Sequence, residues 1–305
     1  MTSEHVRSFV LSSPHETAME AMRFIICREI MGGDHMGATL QDAILILLAG
    51  FVFSIIAALV GAFLQRKYDH WRENRPLNRL LNFGASPLLF IFPQRDTITE
   101  AILPQTSTED FLAMNNFITG LLNIDWRRKV GVRDTTRVLR EEREENLVII
   151  CSPKSNTFAR DFQEEWKEQL KGGFFFKMDD KGRWYIKATD GGLYYSDSFD
   201  QEKQYKAEGC IPSDLPSNKF DDVAIVTKLT NPWEKRNKVF WIAGIRGIGT
   251  WGAAECIKKE WRQIYDELPH DNKEADFSAL INIGYDNCDI ATIDVCRVVV
   301  LNNSI

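Results

Sequence analysis

The feature that most constrains this chain is an uncharged apolar segment, AILILLAGFVFSIIAALVGAFL, which extends from Ala43 to Leu64. As an α-helix rising about 1.5 Å per residue it would span about 33 Å, and the hydrocarbon core of a bilayer is about 30 Å thick. A buried helix of a soluble core is the alternative, but such helices rarely lack charge over this length. The segment is too long, and begins too far into the chain, for a signal peptide. We therefore predict one transmembrane helix over residues 40–64.

Basic residues are distributed unevenly around this segment, and the distribution predicts its orientation. Those that follow it closely are Arg66, Lys67, Arg72, Arg75 and Arg79, whereas residues 1–42 contain only Arg7, Arg23 and Arg28. Basic residues beside a span favour the cytoplasmic side. We therefore expect residues 1–39 to be extracytoplasmic or interfacial, and residues 81–305 to form a cytoplasmic domain below the inner cell membrane. The six cysteines contain no C-x-x-C pair and are typical of free thiols in a reducing compartment.

Small residues recur every fourth position in the predicted membrane helix, at Gly50, Ser54, Ala58 and Ala62. Residues four apart share one helix face, and small side chains there let two helices pack closely in a bilayer. This spacing predicts a homo-oligomer; the alternative is chance, because Ala and Gly are common in membrane helices. A pore is not predicted, since Ser54 alone is polar. Residues 65–80 read as a juxtamembrane helix or linker that breaks at Pro76.

Residues 81–305 alternate short apolar runs with segments of helical period. The predicted strands are 87–92, 146–151, 223–228, 239–243 and 295–301, and the predicted helices are 108–122, 157–170 and 250–268. This alternation is typical of an α/β fold, a mostly parallel sheet flanked by helices. Residues 173–195 are rich in aromatic side chains and contain a turn at 179–182, so we predict a β-hairpin inserted into the α/β pattern.

Three predicted loops follow strands, where open α/β sheets bind their ligands. They contain Arg95, then Lys154 with Asn156, and then Arg246 in the sequence GIRGIGT, residues 244–250. Each loop carries one cation. We take these residues as candidate ligand-binding groups.

The third loop has the most distinctive composition, with Gly244, Gly247 and Gly249 before Thr250 at the start of a helix. Glycines allow close approach of the backbone to a ligand, helix N-termini attract anions, and Arg246 can neutralise a phosphate. In this interpretation Thr250 caps the helix. The G-x-x-G-x-G spacing matches neither the dinucleotide fingerprint nor the P-loop. A tight strand-to-helix turn, with glycines that serve packing alone, is the other interpretation.

The second loop has two interpretations as well. Lys154 and Asn156 can grip a phosphate or ribose, or Asn156 can be a plain helix N-cap that follows a turn at Pro153. Cys151, beside Lys154, is either a thiolate nucleophile or a small core residue.

Most catalytic constellations are absent from the sequence. The five histidines, at 5, 15, 35, 70 and 270, lie away from the predicted strand ends, which argues against a histidine triad or a zinc site. Candidate carboxylates are Glu109, Asp110 and Asp134, although the first turn of a helix explains the first two. We therefore favour a non-enzymatic role and predict no metal. The net charge of −6 argues against a general DNA- or RNA-binding surface.

A family resemblance can be stated from five segments: Phe83-Gly84, Pro87–Arg95, Thr108-Glu109-Asp110, Cys151–Asn156 and Ala243–Thr250. Together they resemble bacterial ligand-sensing domains of Rossmann-like type, with a G-P-K-x-N-like and an A-G-I-x-G-x-G-T loop. Cys151-Ser152 stands where small or glycine residues are expected. One membrane helix before such a domain resembles the membrane-anchored effectors of bacterial antiphage systems. The resemblance implies a nucleotide or cyclic nucleotide second messenger as ligand.

Three functional hypotheses follow. The first is a membrane-anchored sensor or effector whose cytoplasmic domain binds a nucleotide-like or other anionic molecule and controls assembly of the membrane helix. The second is a non-enzymatic adaptor that recruits a protein partner to the bilayer. The third is a nucleotide hydrolase that uses a carboxylate such as Glu109.

Overall fold

The computed structural model describes residues 40–93, 107–122, 128–196, 219–286 and 289–301. The predicted N-terminal segment, residues 1–39, and the first candidate ligand residue, Arg95, lie outside these ranges. The chain divides into two compact units, Met1–His70 and Trp71–Ile305. In the first unit the described residues belong to one helix; the second unit contains the end of that helix and the whole α/β fold.

Helix α1, Leu40–Leu81, contains the apolar segment. Its most apolar 18-residue window has a mean hydropathy of 2.6 and none of it is buried. Among the described residues this is the one helix that is long and apolar enough to cross a membrane. Ser54 Oγ donates to the carbonyl oxygen of Gly50 at 2.9 Å, so the polar group of the small-residue face is satisfied within the helix.

The predicted break at Pro76 is wrong, because α1 continues through this proline to Leu81. Proline inside a helix costs about 3 kcal/mol through a lost hydrogen bond and a clash. The residues that follow it offset this cost, since Leu77, Leu80 and Leu81 are fully buried in the core of the α/β unit. Each buried leucine contributes about 1.5–3 kcal/mol, and together they exceed the proline penalty.

The α/β unit is built around a seven-stranded sheet with the order β10-β9-β7-β8-β3-β1-β2. Its strands are β1 (Leu88–Phe92), β2 (Val130–Asp134), β3 (Asn146–Ile150), β7 (Lys219–Thr230), β8 (Lys238–Gly244), β9 (Phe277–Asp286) and β10 (Asp289–Val300). The predicted strands β1 and β3 are buried over their whole length. The mixed α/β class is confirmed.

Five of the seven strands run in one direction, so the sheet is mostly parallel as predicted. β2, β1, β3 and β8 form parallel pairs. β7 is antiparallel to both β8 and β9, which gives β9 the direction of the parallel group, and β10 reverses again. β2 and β9 are strands that the sequence patterns did not predict.

Helices cover both faces of this sheet, in two separate core layers. One layer receives α2 (Thr108–Leu122), α4 (Gly247–Glu255) and the buried end of α1. After α4 the chain forms one π-helical turn, Cys256–Glu260, and then α5, Trp261–Glu267. The other layer receives α3, Thr157–Glu165. Between β2 and β3 the charged run forms a short 3₁₀-helix, Glu141–Glu144.

The predicted β-hairpin is confirmed and has a third strand. β4 (Phe174–Met178), β5 (Trp184–Ala188) and β6 (Leu193–Tyr195) form an antiparallel sheet of their own, β4-β5-β6. The turn between β4 and β5 is closed by Asp179, whose carboxylate accepts from the backbone N–H groups of Lys181 and Arg183 at 3.0 and 2.8 Å.

The end of α1 is held by a buried lysine of β7. Lys228 is fully buried, and its ammonium donates to the carbonyl oxygens of Leu80 at 2.8 Å and Glu274 at 3.0 Å. The Leu80 carbonyl is one of the C-terminal groups that a helix leaves without an internal partner. Burial, followed by repulsion from Lys238, lowers the pKa of Lys228 from its usual 10.5 to about 7.

We expect Lys228 to make folding stability pH-dependent. Between about pH 7 and pH 10 the unfolded chain binds a proton at this side chain that the folded chain has released, so stability increases with pH in that window. The free energy of unfolding of the wild type should therefore rise relative to Lys228→Met by about 1–2 kcal/mol from about pH 7 to pH 9. Denaturant titration of the detergent-solubilised chain measures this difference. Lys167→Met changes an exposed lysine, so its free energy of unfolding should rise with pH as much as that of the wild type. An equal rise in the wild type, Lys228→Met and Lys167→Met would contradict this role of Lys228.

Candidate functional site

The carboxyl ends of β1, β3 and β8 lie next to one another at one edge of the sheet, because these three strands are parallel neighbours. The helices that follow β1 and β8, α2 and α4, pack in one layer, whereas α3, which follows β3, packs on the opposite face. Open α/β sheets bind their ligands where neighbouring strands send their helices to opposite faces. The expected meeting of the Lys154 and Arg246 loops at one edge is therefore found; Arg95 is outside the described residues.

The glycine-rich loop is occupied from within the protein. Asp222, in β7, accepts through Oδ2 from the backbone N–H groups of Arg246 and Gly249, both at 3.0 Å. Its Oδ1 accepts from the Val223 N–H at 2.9 Å. Arg246 occupies the N-cap position of α4 but its side chain does not cap the helix. The carboxylate of Asp222 thus serves as the cap, a position where the helix dipole favours negative charge.

Asp222 was not predicted as a site residue, and its environment is unusual. It is fully buried, and this burial raises its pKa to about 6 in spite of the backbone N–H groups that it accepts from. A carboxyl with a raised pKa in a cleft is a candidate acid or base. Asp222 has no exposed surface, however, and all the contacts above serve the loop, so we assign it a structural role.

The glycines of this loop allow close packing. A side chain at Gly249 would overlap Asp222, and one at Gly244 would overlap the backbone N–H of Thr250. Thr250 does not cap α4 as expected: its hydroxyl accepts from the Gly244 N–H at 3.0 Å and donates to the Arg246 carbonyl at 3.3 Å. Gly247 is more open, since a Cβ there would lie 3.2 Å from the side chain of Glu109. The packing interpretation thus accounts for Gly244, Gly249 and Thr250.

The loop after β3 is ordered by Asn156, which is the N-cap of α3. Its Oδ1 accepts from the Ala159 N–H at 2.9 Å, and its Nδ2 donates to the carbonyls of Ile150 at 2.7 Å and Ile91 at 3.5 Å. Asn156 is fully buried and these contacts fix the ends of β3 and β1. The N-cap interpretation is therefore confirmed. Lys154, in the same loop, is exposed.

Cys151 lies at the end of β3 in a left-handed conformation, with φ of 83°. Its backbone N–H donates to the Ile242 carbonyl at 2.9 Å, and its carbonyl accepts from Trp241 Nε1 at 3.1 Å. These bonds on both sides maintain a backbone conformation that is uncommon for residues other than glycine. The thiol is buried, as in the core interpretation.

All three candidate carboxylates lie at this end of the sheet, Asp134 on its outermost strand. Glu109, half-buried in the first turn of α2, packs against Gly247. Asp110 is buried beside it, and its N–H donates to Ser107 Oγ at 3.1 Å. Asp134 ends the edge strand β2 and orders a turn, where it accepts from the Thr136 N–H and pairs with Arg137 at 3.2 Å. No group of residues suited to a metal ion occurs in the ranges that the structure describes.

Comparisons with known proteins give no match: no family model, no curated protein and no solved structure matches this chain. Function therefore has to be inferred from the geometry of the molecule. At the carboxyl edge, Asn156, Gly244, Gly249 and Thr250 are buried and engaged in the fold itself, whereas Lys154 is exposed and Arg246 and Gly247 are half-buried.

Two glycine substitutions test this assignment of the loop. Gly249→Ala places a methyl group against the buried Asp222 carboxylate, which has no room to move, so we expect a loss of about 1–3 kcal/mol of unfolding free energy. Gly247→Ala meets only the half-buried Glu109, at 3.2 Å, where a small shift relieves the contact, so it should cost less than about 1 kcal/mol. Thermal or chemical denaturation measures both. Equal effects would show that Asp222 does not hold the loop.

Proposed function

We propose that this protein is a membrane-anchored sensor or effector whose α/β domain binds a nucleotide-like or other anionic small molecule. In this proposal α1 crosses the inner membrane once, with residues 1–39 outside and the α/β domain in the cytoplasm. Ligand binding at the carboxyl edge changes how the membrane helices of several copies assemble. The ligand class includes nucleotides and cyclic nucleotide second messengers.

The observation that carries the proposal is the burial of the end of α1 in the core that also supports the ligand loops. Leu77, Leu80 and Leu81 pack in the same layer as α2 and α4, the helices that follow two of the three loops. A shift of α2 or α4 at the edge therefore changes the packing around the last turn of α1. Densely packed cores transmit such shifts, because they have few voids to absorb them.

The electrostatics of the carboxyl edge support an anionic ligand that binds through side chains. Asp222 already bonds two amides of the glycine loop and interacts electrostatically with Arg246, so a phosphate would approach the Arg246 and Lys154 side chains rather than those amides. Both cations follow neighbouring parallel strands, β8 and β3. Charge-assisted hydrogen bonds of this kind contribute about 1.5–3 kcal/mol each.

Arg246→Ala and Lys154→Ala should each weaken nucleotide binding about ten- to a hundredfold, since about 1.4 kcal/mol corresponds to one decade in affinity. Folding should be nearly unaffected, because neither side chain lies in the core. Calorimetric affinity and melting temperature are measured on the same preparation of each variant. Unchanged affinity for every nucleotide that binds the wild type would remove this edge as the site.

The membrane helix provides a surface for assembly in this proposal. A Cβ added at Gly50 or Gly61 would have no described atom within 4 Å, so the small-residue face is open to a second helix. The exposed large side chains Phe51, Phe53 and Leu59 along the same segment suit contact with lipid.

Gly50→Ile combined with Ala58→Ile should convert the detergent-solubilised protein to smaller species, because the added bulk prevents close approach of two small-residue faces. Light scattering coupled to size-exclusion chromatography measures the mass. Val52→Ile with Val60→Ile adds bulk to other positions of the helix and serves as the matched control. If neither double variant changes the mass, the contacts of any oligomer lie outside the small-residue face.

The adaptor remains a second candidate because of one observation. On the side of the sheet that carries α2, large apolar side chains are exposed: Phe111 (53%) and Leu122 (62%) on α2, and Val132 (49%) on the edge strand β2. By their register, Val130 and Val132 face this side together with Phe90. Exposed apolar groups on one side of a domain are typical of a protein-binding surface. Capture of one defined partner that Phe111→Asp abolishes, with no nucleotide binding, would favour this function.

A further inference from the structure

The small sheet β4-β5-β6 has two faces of different character. Side chains alternate between the faces along each strand, and Phe174, Phe176, Ile186 and Ala188 are buried in the core. The opposite face consists of Phe175, Lys177, Tyr185, Lys187, Leu193 and Tyr195, none of which is buried. We call this the outer face. The free edge of β4 is closed by Gln163 of α3, whose amide group bonds to the N–H and carbonyl of Phe176 at 2.8 and 3.1 Å.

Rings and cations alternate across the outer face. The strand register places Lys177 opposite Tyr185, which in turn lies opposite Tyr195. In the next row Phe175 lies opposite Lys187. The rings of Tyr185 and Tyr195 are 5.2 Å apart with an interplanar angle of 33°. Each strand thus contributes one ring to the outer face.

Further cations extend this pattern. The guanidinium of Arg183 lies 5.0 Å from the centre of the Tyr195 ring. A groove of about 230 Å³ separates the outer face from α3, and Lys167, Lys177 and Lys187 line it around Phe175. Glu164 also lines this groove, but within the described residues no carboxylate forms an ion pair with any of these three lysines. The groove therefore carries three lysines against one carboxylate, a net positive charge beside an aromatic ring.

Two neighbouring carboxylates pair with arginines. Asp179 pairs with Arg183 at 2.8 Å, and Asp190 pairs with Arg297 of β10. The chain as a whole has a charge of −6, which argues against a general nucleic-acid surface. The outer face is a local exception to this average.

We propose that the outer face binds single-stranded nucleic acid. Bases stack on Phe175, Tyr185 and Tyr195, and the phosphates that link them lie against Lys177, Lys187 and Lys167. Aromatic rings on a sheet with interspersed cations suit a flexible strand, because its bases are free to stack, whereas the bases of a duplex are stacked on each other. This site shares no residue with the carboxyl edge, so the result of its test does not depend on whether the proposed function is correct.

The test uses the full chain in neutral detergent and fluorescently labelled oligonucleotides of about 12 residues, as single-stranded RNA, single-stranded DNA and duplex. Fluorescence anisotropy should show binding of the single strands that weakens with salt. Lys177→Ala with Lys187→Ala should weaken it more than tenfold and reduce the salt slope, log affinity against log salt, by about 1.4. Tyr185→Leu should weaken binding about tenfold with the slope unchanged, because it removes stacking and no charge.

Lys259→Ala is the matched control, since Lys259 is an exposed lysine paired with Glu255 in the π-helical turn, which packs in the core layer on the other face of the large sheet. It should leave affinity and slope unchanged. Four results would overturn the proposal: no binding at low salt, equal affinity for duplex, equal loss of affinity in the control, or displacement of the strand by a free mononucleotide at the same nucleotide concentration. Binding of phosphatidylserine vesicles through Lys177 and Lys187, with no oligonucleotide binding, would assign the face to a bilayer instead.

Discussion

Lys228 donates two hydrogen bonds from its buried ammonium to main-chain carbonyls, and one of these belongs to the last turn of α1. Around it the three leucines of that turn fill the core beside Phe117 and Phe240. Burial of a lysine is unfavourable unless its polar group is hydrogen-bonded. The two carbonyl contacts therefore offset the cost of burying Lys228 in this core layer. The α/β unit therefore holds the end of the apolar helix as part of its own core.

A buried charged group satisfied by main-chain hydrogen bonds also accounts for the glycine-rich loop. Its composition resembles that of a phosphate-binding loop, yet its capping anion is a side chain of the protein. Asp222 has a buried carboxylate whose desolvation is compensated by backbone N–H groups, and the glycines leave space for it. The main chain of the loop is thereby bonded to β7. In our proposal it presents Arg246 to the ligand, together with the exposed Lys154 of the neighbouring loop.

Local patterns in the sequence predicted much of the fold, including α2, β1, β3, β8 and the inserted hairpin, because each depends on apolar periodicity and turn residues within the element itself. The continuation of α1 through Pro76 could not be predicted, since it depends on burial against distant strands. Lys228 and Leu80 are 148 residues apart in sequence, and Asp222 and Arg246 are 24 apart. Charged residues directly at the two ends of the predicted strand 223–228, Asp222 before it and Lys228 at its last position, were the local signal of such contacts.

Amide hydrogen exchange of the full chain in detergent tests most directly whether α1 ends inside the core of the α/β unit. Exchange is slow where opening requires disruption of a packed unit. The amides of residues 77–81 should exchange as slowly as those of the central strands β3 and β8, and more slowly than those of the exposed residues 66–70 of the same helix. Fast exchange at residues 77–81 in a chain whose central strands stay protected would contradict this account.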